Sequence, residues 1–133
     1  MKKGIYMDDK NKALDMKVLK KFELIVCQTQ KSDYVLIDFY IPENLVYFKG
    51  HFDSCPILPG VAQLDLAIHY ACEYFGLQRA DISAVDAMKF MKVIKPKTHI
   101  TLELMIKNEM LIFKYLKDNV AYSSGKIRLQ RDL

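Results

Sequence analysis

The fold is decided by residues 47–76, which read YFKGHFDSCPILPGVAQLDLAIHYACEYFG. The second half of this stretch, from Gly60 to Phe75, predicts a helix, because its apolar residues recur at spacings of three and four. This apolar stripe consists of Val61, Leu64, Ile68, Ala71 and Phe75. Pro59 and Gly60 stand at the start of the segment and Gly76 just past its end, the usual placement of helix breakers. Because further apolar residues widen the stripe, we expect a helix that is buried on most sides.

Strand-like segments flank this helix on both sides. Residues 22–29 (FELIVCQT) and 34–41 (YVLIDFYI) are rich in β-branched and aromatic residues, which predicts a hairpin with a turn at 30–33. The connection 42–59 shows no regular pattern, which is typical of a loop that is functional or held by packing. Further strand-like segments follow the helix at 82–93, 100–107, 110–116 and 120–130. This order predicts an α+β fold, in which a mostly antiparallel sheet of hairpin-linked strands packs on or wraps one long helix. Such a single layer leaves sheet edges and apolar surface, so we expect a dimer.

Length, charge and cysteine usage exclude several classes of protein. A chain of 133 residues is expected to form one domain, with the polar residues 1–12 as a loose N-terminal arm. The net charge is +4 without a dense block of basic and aromatic residues, so nucleic acid is not an expected partner. No apolar run is long enough to span a bilayer or to form a secretory signal. Cys27, Cys55 and Cys72 are widely spaced, which favours reduced thiols and a cytoplasmic protein.

Two titratable residues stand out as candidates for chemistry. His51 follows a glycine and precedes an aromatic residue, and its unperturbed pKa near neutrality suits a general base, although a lone loop histidine is more often structural. Asp65 lies between two leucines of the predicted helix. A buried carboxyl there would be either salt-bridged or held at a raised pKa that lets it donate a proton, whereas the alternative is a carboxylate on the polar edge of the helix.

Neighbouring residues offer further, weaker candidates. The helix start at Gly60 presents backbone N–H groups that could hold an oxyanion, or it is simply a helix start. His69 lies one turn after Asp65 and could orient it, pair with it or fill a polar niche. His99 is expected to be exposed. The four lysines 89, 92, 95 and 97 form either a solvated edge or a contact for a phosphate or an acidic partner.

The motif across residues 47–65 resembles the signature of the 3-hydroxyacyl-[acyl-carrier-protein] dehydratases of the hotdog superfamily. The matching segments are Gly50-His51-Phe52, Pro56-Ile57-Leu58-Pro59-Gly60, and Asp65 five residues after the last glycine. Residues 88–96 (MKFMKVIKP) resemble the strand that follows the helix in that family. The residues of the motif are most similar to those of the dehydratases of aryl-polyene and polyketide-like pathways.

This resemblance implies a hotdog fold and an active site at a dimer interface. It assigns His51 as the base that removes the α-proton, Asp65 as the acid that protonates the leaving β-hydroxyl, and the Gly60 N–H as the donor to the thioester oxygen. It also implies an acyl-carrier-protein partner, a homodimer or a heterodimer with a related hotdog subunit, and no metal or redox cofactor. The other residues expected to line the substrate site are Phe52, Pro59, Val61 and His69.

Three positions depart from the family pattern. Asp53 replaces a proline, Asp65 replaces the commoner glutamate, and His69 replaces a glutamine. Two rival functions stay open. One is a hotdog thioesterase in which the same carboxylate activates water, and the other is a non-catalytic subunit that binds acyl carrier protein beside a partner enzyme.

Overall fold

The computed structural model describes residues 29–31, 33–42 and 57–130. Within these ranges, six strands form one sheet in the order β1-β2-β4-β5-β6-β3, and every neighbouring pair is antiparallel. The strands are β1 Thr29–Lys31, β2 Tyr34–Ile41, β3 Ile82–Phe90, β4 Thr98–Lys107, β5 Met110–Lys117 and β6 Val120–Leu129. One long helix, α1 Gly60–Phe75, and a short 3₁₀ helix, Arg79–Asp81, lie between β2 and β3. The predicted α+β fold is confirmed, while the predicted arm 1–12 and the strand over 22–28 lie outside the described residues.

The helix and the hairpins follow directly from local sequence. The helix α1 has the predicted bounds, and Gly76 ends it in the left-handed conformation at φ 70°. Two-residue turns at Asn108-Glu109 and Asp118-Asn119 join β4 to β5 and β5 to β6, and all four residues have positive φ. Such turns match the right-handed twist of the strands that they connect.

Several details differ from the sequence-based expectation. The strand β3 ends at Phe90, three residues before the predicted end at 93. Residues 29–31 belong to β1, so the turn is shorter than the predicted 30–33. The strand β4 begins two residues before the predicted start at Ile100. The strand β3 pairs with β6 at the sheet edge and not with the next strand in the chain, because the connection after Phe90 carries the chain across to pair β4 with β2. Residue pattern predicts strands but does not choose their partners.

The core lies between α1 and one face of the sheet. Helix residues Ala62, Leu66, Ala67, Tyr70 and Ala71 are almost wholly buried. They share one core cluster with sheet residues, among them Leu102, Leu104, Leu111, Phe113 and Ile127.

The predicted stripe coincides only in part with the buried face of α1, because Ile68 and Ala71 lie in the core. Val61 is 72% exposed, and Leu64 and Phe75 are only partly buried. The expected burial on most sides is confirmed, since only two residues of α1 are exposed. Because α1 is apolar nearly all round, spacing alone does not identify its most buried face. No helix in the described ranges is both long and apolar enough to cross a membrane.

Candidate active site

The start of α1 presents backbone donors. Pro59 precedes the helix in an extended conformation, and its carbonyl accepts the N–H groups of Ala62 and Gln63, both at 3.0 Å. The N–H groups of Gly60 and Val61 come before these bonds and have no acceptor within α1. The first turn of α1 carries no acidic residue of its own, and these groups lie at the positive end of the helix dipole.

An apolar cavity of about 220 Å³ opens beside this helix start. Its wall includes Leu58, Gly60, Gln63, Phe90, Met91 and Val93. The ring of Phe90 lies directly over Gly60, because a Cβ at position 60 would approach the Phe90 Cζ to 2.6 Å. Glycine is therefore the residue that lets this aromatic wall close over the first turn of the helix.

The buried amide of Gln63 joins the helix start to the sheet. Its Nε2 donates to the Leu58 carbonyl at 3.0 Å, and its Oε1 accepts the Ser123 hydroxyl at 2.6 Å. The Tyr115 hydroxyl donates to the Gln63 carbonyl at 2.6 Å. Since Gln63, Tyr115 and Ser123 are all buried, these bonds hold the first turn of α1 against β5 and β6.

The Asp65 carboxyl is buried and forms an ion pair. The residue is 7% exposed, and its Oδ1 lies 3.7 Å from Nη2 of Arg79 in the 3₁₀ helix. Of the environments expected for Asp65, the salt-bridged one is observed, and the interpretation as a carboxylate on an exposed polar edge is wrong. A guanidinium at this distance favours the ionised form of the carboxyl.

The other candidate residues occupy several environments. His69 is largely buried, and its Nε2 lies 3.7 Å from a carboxylate oxygen of Glu73. His99 is exposed on β4, as expected, with its ring centroid 4.9 Å from that of Tyr40. His51 and Phe52 lie outside the described residues, as do Asp53, Cys27 and Cys55, so their roles stay predictions.

The Cys72 thiol and the lysines complete the charged surroundings. Burial raises the pKa of the Cys72 thiol, while the nearby Arg79 cation acts in the opposite direction and Asp81 adds to the rise. The lysines at 89, 92, 95 and 97 are exposed. Lys92 contributes to the cavity wall and lies 5.8 Å from the Tyr122 ring centroid. The group of four lysines therefore reaches the mouth of the cavity through Lys92.

Two residues of this site were not identified from the sequence. A polar Gln63 inside an apolar helix was the available signal, because a buried amide must find partners. Arg79 gave no comparable signal, since it lies beyond the helix end and meets Asp65 only after the chain has turned back.

A long helix packed on a six-stranded antiparallel sheet, with its first turn opening onto an apolar cavity, defines a protein of the hotdog fold. The family model of ApeI-like proteins, described as ApeI dehydratase, matches residues 27–126. The chain belongs to the ApeI-like dehydratase family, and the expected fold and family are thereby confirmed.

Individual relatives agree with this assignment. The structure of the dehydratase heterocomplex ApeI:P from Xenorhabdus doucetiae is 30% identical, covers 81% of this chain and 100% of that chain, and has a TM-score of 0.69. The dehydratase domain of the polyketide PpsC from Mycobacterium tuberculosis is similar in fold, with 12% identity, a TM-score of 0.63 and coverage of 84% of this chain and 45% of that chain. A 3-hydroxyacyl-[acyl-carrier-protein] dehydratase FabZ from Lactobacillus helveticus is 34% identical over 70 residues, which are 45% of this chain and 47% of the relative. The match thus spans about half the length of that curated relative.

Proposed function

We propose that this chain converts 3-hydroxyacyl thioesters on acyl carrier protein into trans-2-enoyl thioesters, in fatty-acid, aryl-polyene or polyketide-like biosynthesis. One observation carries the proposal. In a chain of a dehydratase family, a buried carboxyl group, Asp65, lies in the second turn of a helix whose start forms the wall of an apolar cavity. The free Cys72 thiol suits a cytoplasmic location for this reaction.

The proposed chemistry balances with two side chains and one backbone donor. His51 removes the α-proton, and the Gly60 N–H stabilises the enolate-like oxygen of the thioester. Asp65 donates its proton to the β-hydroxyl as the C–O bond breaks, so water leaves and a carboxylate remains. The proton on His51 then returns to Asp65 through water. This sequence of proton transfers requires neither a metal nor a redox cofactor.

The surface suits the proposed carrier and a second subunit. Lys92, which is exposed at the cavity mouth, can contact the phosphate of a phosphopantetheine arm. The strand β3 lies at the sheet edge, where Val85 and Phe90 are 44% and 53% exposed. Such an edge can add a strand from another chain. We propose that a second hotdog subunit, either a copy of this chain or a related one, covers this edge and completes the site.

Mass spectrometry of the purified chain with 3-hydroxyacyl-acyl carrier protein tests the proposal. Loss of one water from the acyl chain is the expected result, and an unchanged substrate would contradict dehydration. His51→Ala and Asp65→Asn should each abolish the reaction. His99→Ala and Asp118→Asn are matched controls, because both residues are exposed and Asp118 lies in the turn between β5 and β6. Full activity of the first two variants would remove those residues from the mechanism.

One observation favours a second candidate function, thioester hydrolysis. The contact between Arg79 and Asp65 favours an ionised carboxylate, and this is the form that would activate water in a thioesterase. The same assay separates the two reactions, because hydrolysis releases a free acid and a carrier thiol, whereas dehydration leaves the acyl chain attached.

A further inference from the structure

The position of Arg79 is fixed by the turn that follows α1. After Gly76 the chain reverses, and Leu77 is buried in the core. The 3₁₀ helix is then closed by reciprocal bonds. The Gln78 N–H donates to the Asp81 carboxylate at 2.8 Å, and the Asp81 N–H donates to the Gln78 carbonyl at 2.9 Å. The first bond is the carboxylate half of a capping box and the second is a backbone bond of the 3₁₀ turn, and together they limit the motion of this short helix.

This turn is also tied to the sheet. The N–H of Gln130, just past β6, donates to the Asp81 carbonyl at 2.8 Å. The backbone beneath Arg79 is therefore held at both ends, by the core on one side and by the sheet on the other. A guanidinium that reaches back along α1 from such an anchored turn loses little conformational freedom when it meets Asp65.

The Arg79 guanidinium lies mostly inside the protein. Its side chain is 24% exposed, and the Asp65 side chain is 8% exposed. The guanidinium Nη1 is buried, and no acceptor within the described ranges reaches it. Screening by water is weaker here than for a surface pair, so the charge of Arg79 acts strongly on the nearby carboxyl.

Other titratable groups lie on the elements that carry this contact and on the sheet packed against them. On α1 they are His69, Cys72 and Glu73, and the 3₁₀ helix adds Asp81. The sheet contributes the Tyr115 hydroxyl, which donates to a backbone carbonyl of α1. Within the described residues, Arg79 is the permanent cation of this set, because histidine is charged only when it is protonated.

We propose that Arg79 is a positioning residue that orients the Asp65 carboxyl and stabilises the carboxylate left when Asp65 gives up its proton. The inference rests on the proposed function and deepens it. In the dehydration step the O–H bond of Asp65 breaks, a new O–H bond forms on the departing hydroxyl, and a negative charge appears beside the guanidinium. Arg79 lowers the energy of that charged state without touching the substrate.

Neutral replacements test this role. Arg79→Gln removes the charge, and Arg79→Met removes it while keeping the aliphatic stem that packs in the protein. Arg79→Lys keeps the charge. Lys107→Gln is the matched control, because it removes an exposed cation at the end of β4. The kcat of each variant with 3-hydroxyacyl-acyl carrier protein is measured as a function of pH.

Without the cation, the Asp65 carboxyl keeps its proton to higher pH. The limb of the pH profile that reports this carboxyl should therefore move to higher pH by about one unit in both neutral variants, while the other limb stays in place. Their kcat should fall about tenfold with little change in KM. Without the cation the Asp65 carboxylate is less stable, so Asp65 is a weaker proton donor to the β-hydroxyl. Arg79→Lys should recover most of the wild-type profile, and Lys107→Gln should match the wild type.

A second measurement keeps this inference separate from the proposed function. The titration midpoint of the Asp65 carboxyl, followed by ¹³C NMR in the intact protein, should rise in Arg79→Gln and Arg79→Met even if the wild type dehydrates nothing. Wild-type pH profiles and an unchanged Asp65 midpoint in a folded neutral variant would overturn the role of Arg79. An inactive wild type with a shifted midpoint would instead count against dehydration alone.

Discussion

Replacing Gln63 with leucine removes the amide that joins the start of α1 to the sheet. Leucine fills the same space with an apolar side chain, but two buried polar groups lose the amide to which they are hydrogen-bonded. These are the Leu58 carbonyl, 3.0 Å from Nε2, and the Ser123 hydroxyl, 2.6 Å from Oε1. Leu58 is 2% exposed and Ser123 is 0% exposed, so neither group gains water without local opening.

The expected cost follows from these two groups. A buried polar group that loses its partner costs about 1–3 kcal/mol, so Gln63→Leu should lower the free energy of unfolding by about 3 kcal/mol after the gain from the apolar side chain. For a domain of this size, that loss corresponds to a fall in Tm of roughly 10 °C. Urea denaturation followed by circular dichroism gives the free energy directly.

A double-mutant cycle identifies the cause of the loss. Ser123→Ala removes the stranded hydroxyl, so the double variant Gln63→Leu/Ser123→Ala should be more stable than the sum of the single losses by about 1–2 kcal/mol. Asp86→Asn, which breaks a surface ion pair, should cost less than about 1 kcal/mol. A loss below about 1 kcal/mol in Gln63→Leu, or strict additivity with Ser123→Ala, would refute the claim that this amide holds the helix start.

Three further predictions concern the cavity, a thiol and a phenol. Gly60→Ala should lower kcat/KM about tenfold with a small change in Tm, because its Cβ displaces the Phe90 ring from the cavity wall; steady-state kinetics that match the wild type would count against this. In a variant that lacks the other two cysteines, Cys72 should reach half its maximal alkylation rate at a higher pH than a peptide thiol, because burial raises its pKa and only the thiolate reacts. Burial, with the hydrogen bond to Glu103, raises the pKa of Tyr34 from 10.0 to about 12. The folded state holds this proton more tightly, so the associated stability is present below pH 10 and is lost as the pH rises through 12. Absorbance titration should show a late phenol that disappears in Tyr34→Phe, and an unchanged late phase would contradict the assignment.

Local sequence was sufficient to predict the elements but not all of their partners. The bounds of α1 were predictable because breakers stand at both ends. The hairpins β4–β5 and β5–β6 were predictable because Asn or Asp stands in each turn, and these residues adopt positive φ more readily than most. The pairing of β3 with β6 was not predictable, because the alternation of apolar and polar residues indicates a strand but does not determine which strand it pairs with. The buried face of α1 was hidden for a related reason, because a helix that is apolar nearly all round has no single marked side.

The candidate site shows the same division. The motif placed Gly60 and Asp65 on one helix, and spacing along a helix is a reliable local measure of position. The ion pair with Arg79 depends on how the chain turns back after Gly76, and the role of Gln63 depends on Tyr115 and Ser123, more than fifty residues away in sequence. Contacts of this kind arise from the fold as a whole, so no local sequence pattern predicts them.

Subunit mixing tests most directly whether His51 and Asp65 from two protomers share one active site. Two copies of this chain, one carrying His51→Ala and the other Asp65→Asn, are each expected to be inactive alone. Random exchange makes half of the dimers mixed, and one of the two sites in each mixed dimer regains both groups, so about a quarter of the wild-type dehydration rate should return. Activity that stays absent after confirmed exchange would contradict a site built across two protomers.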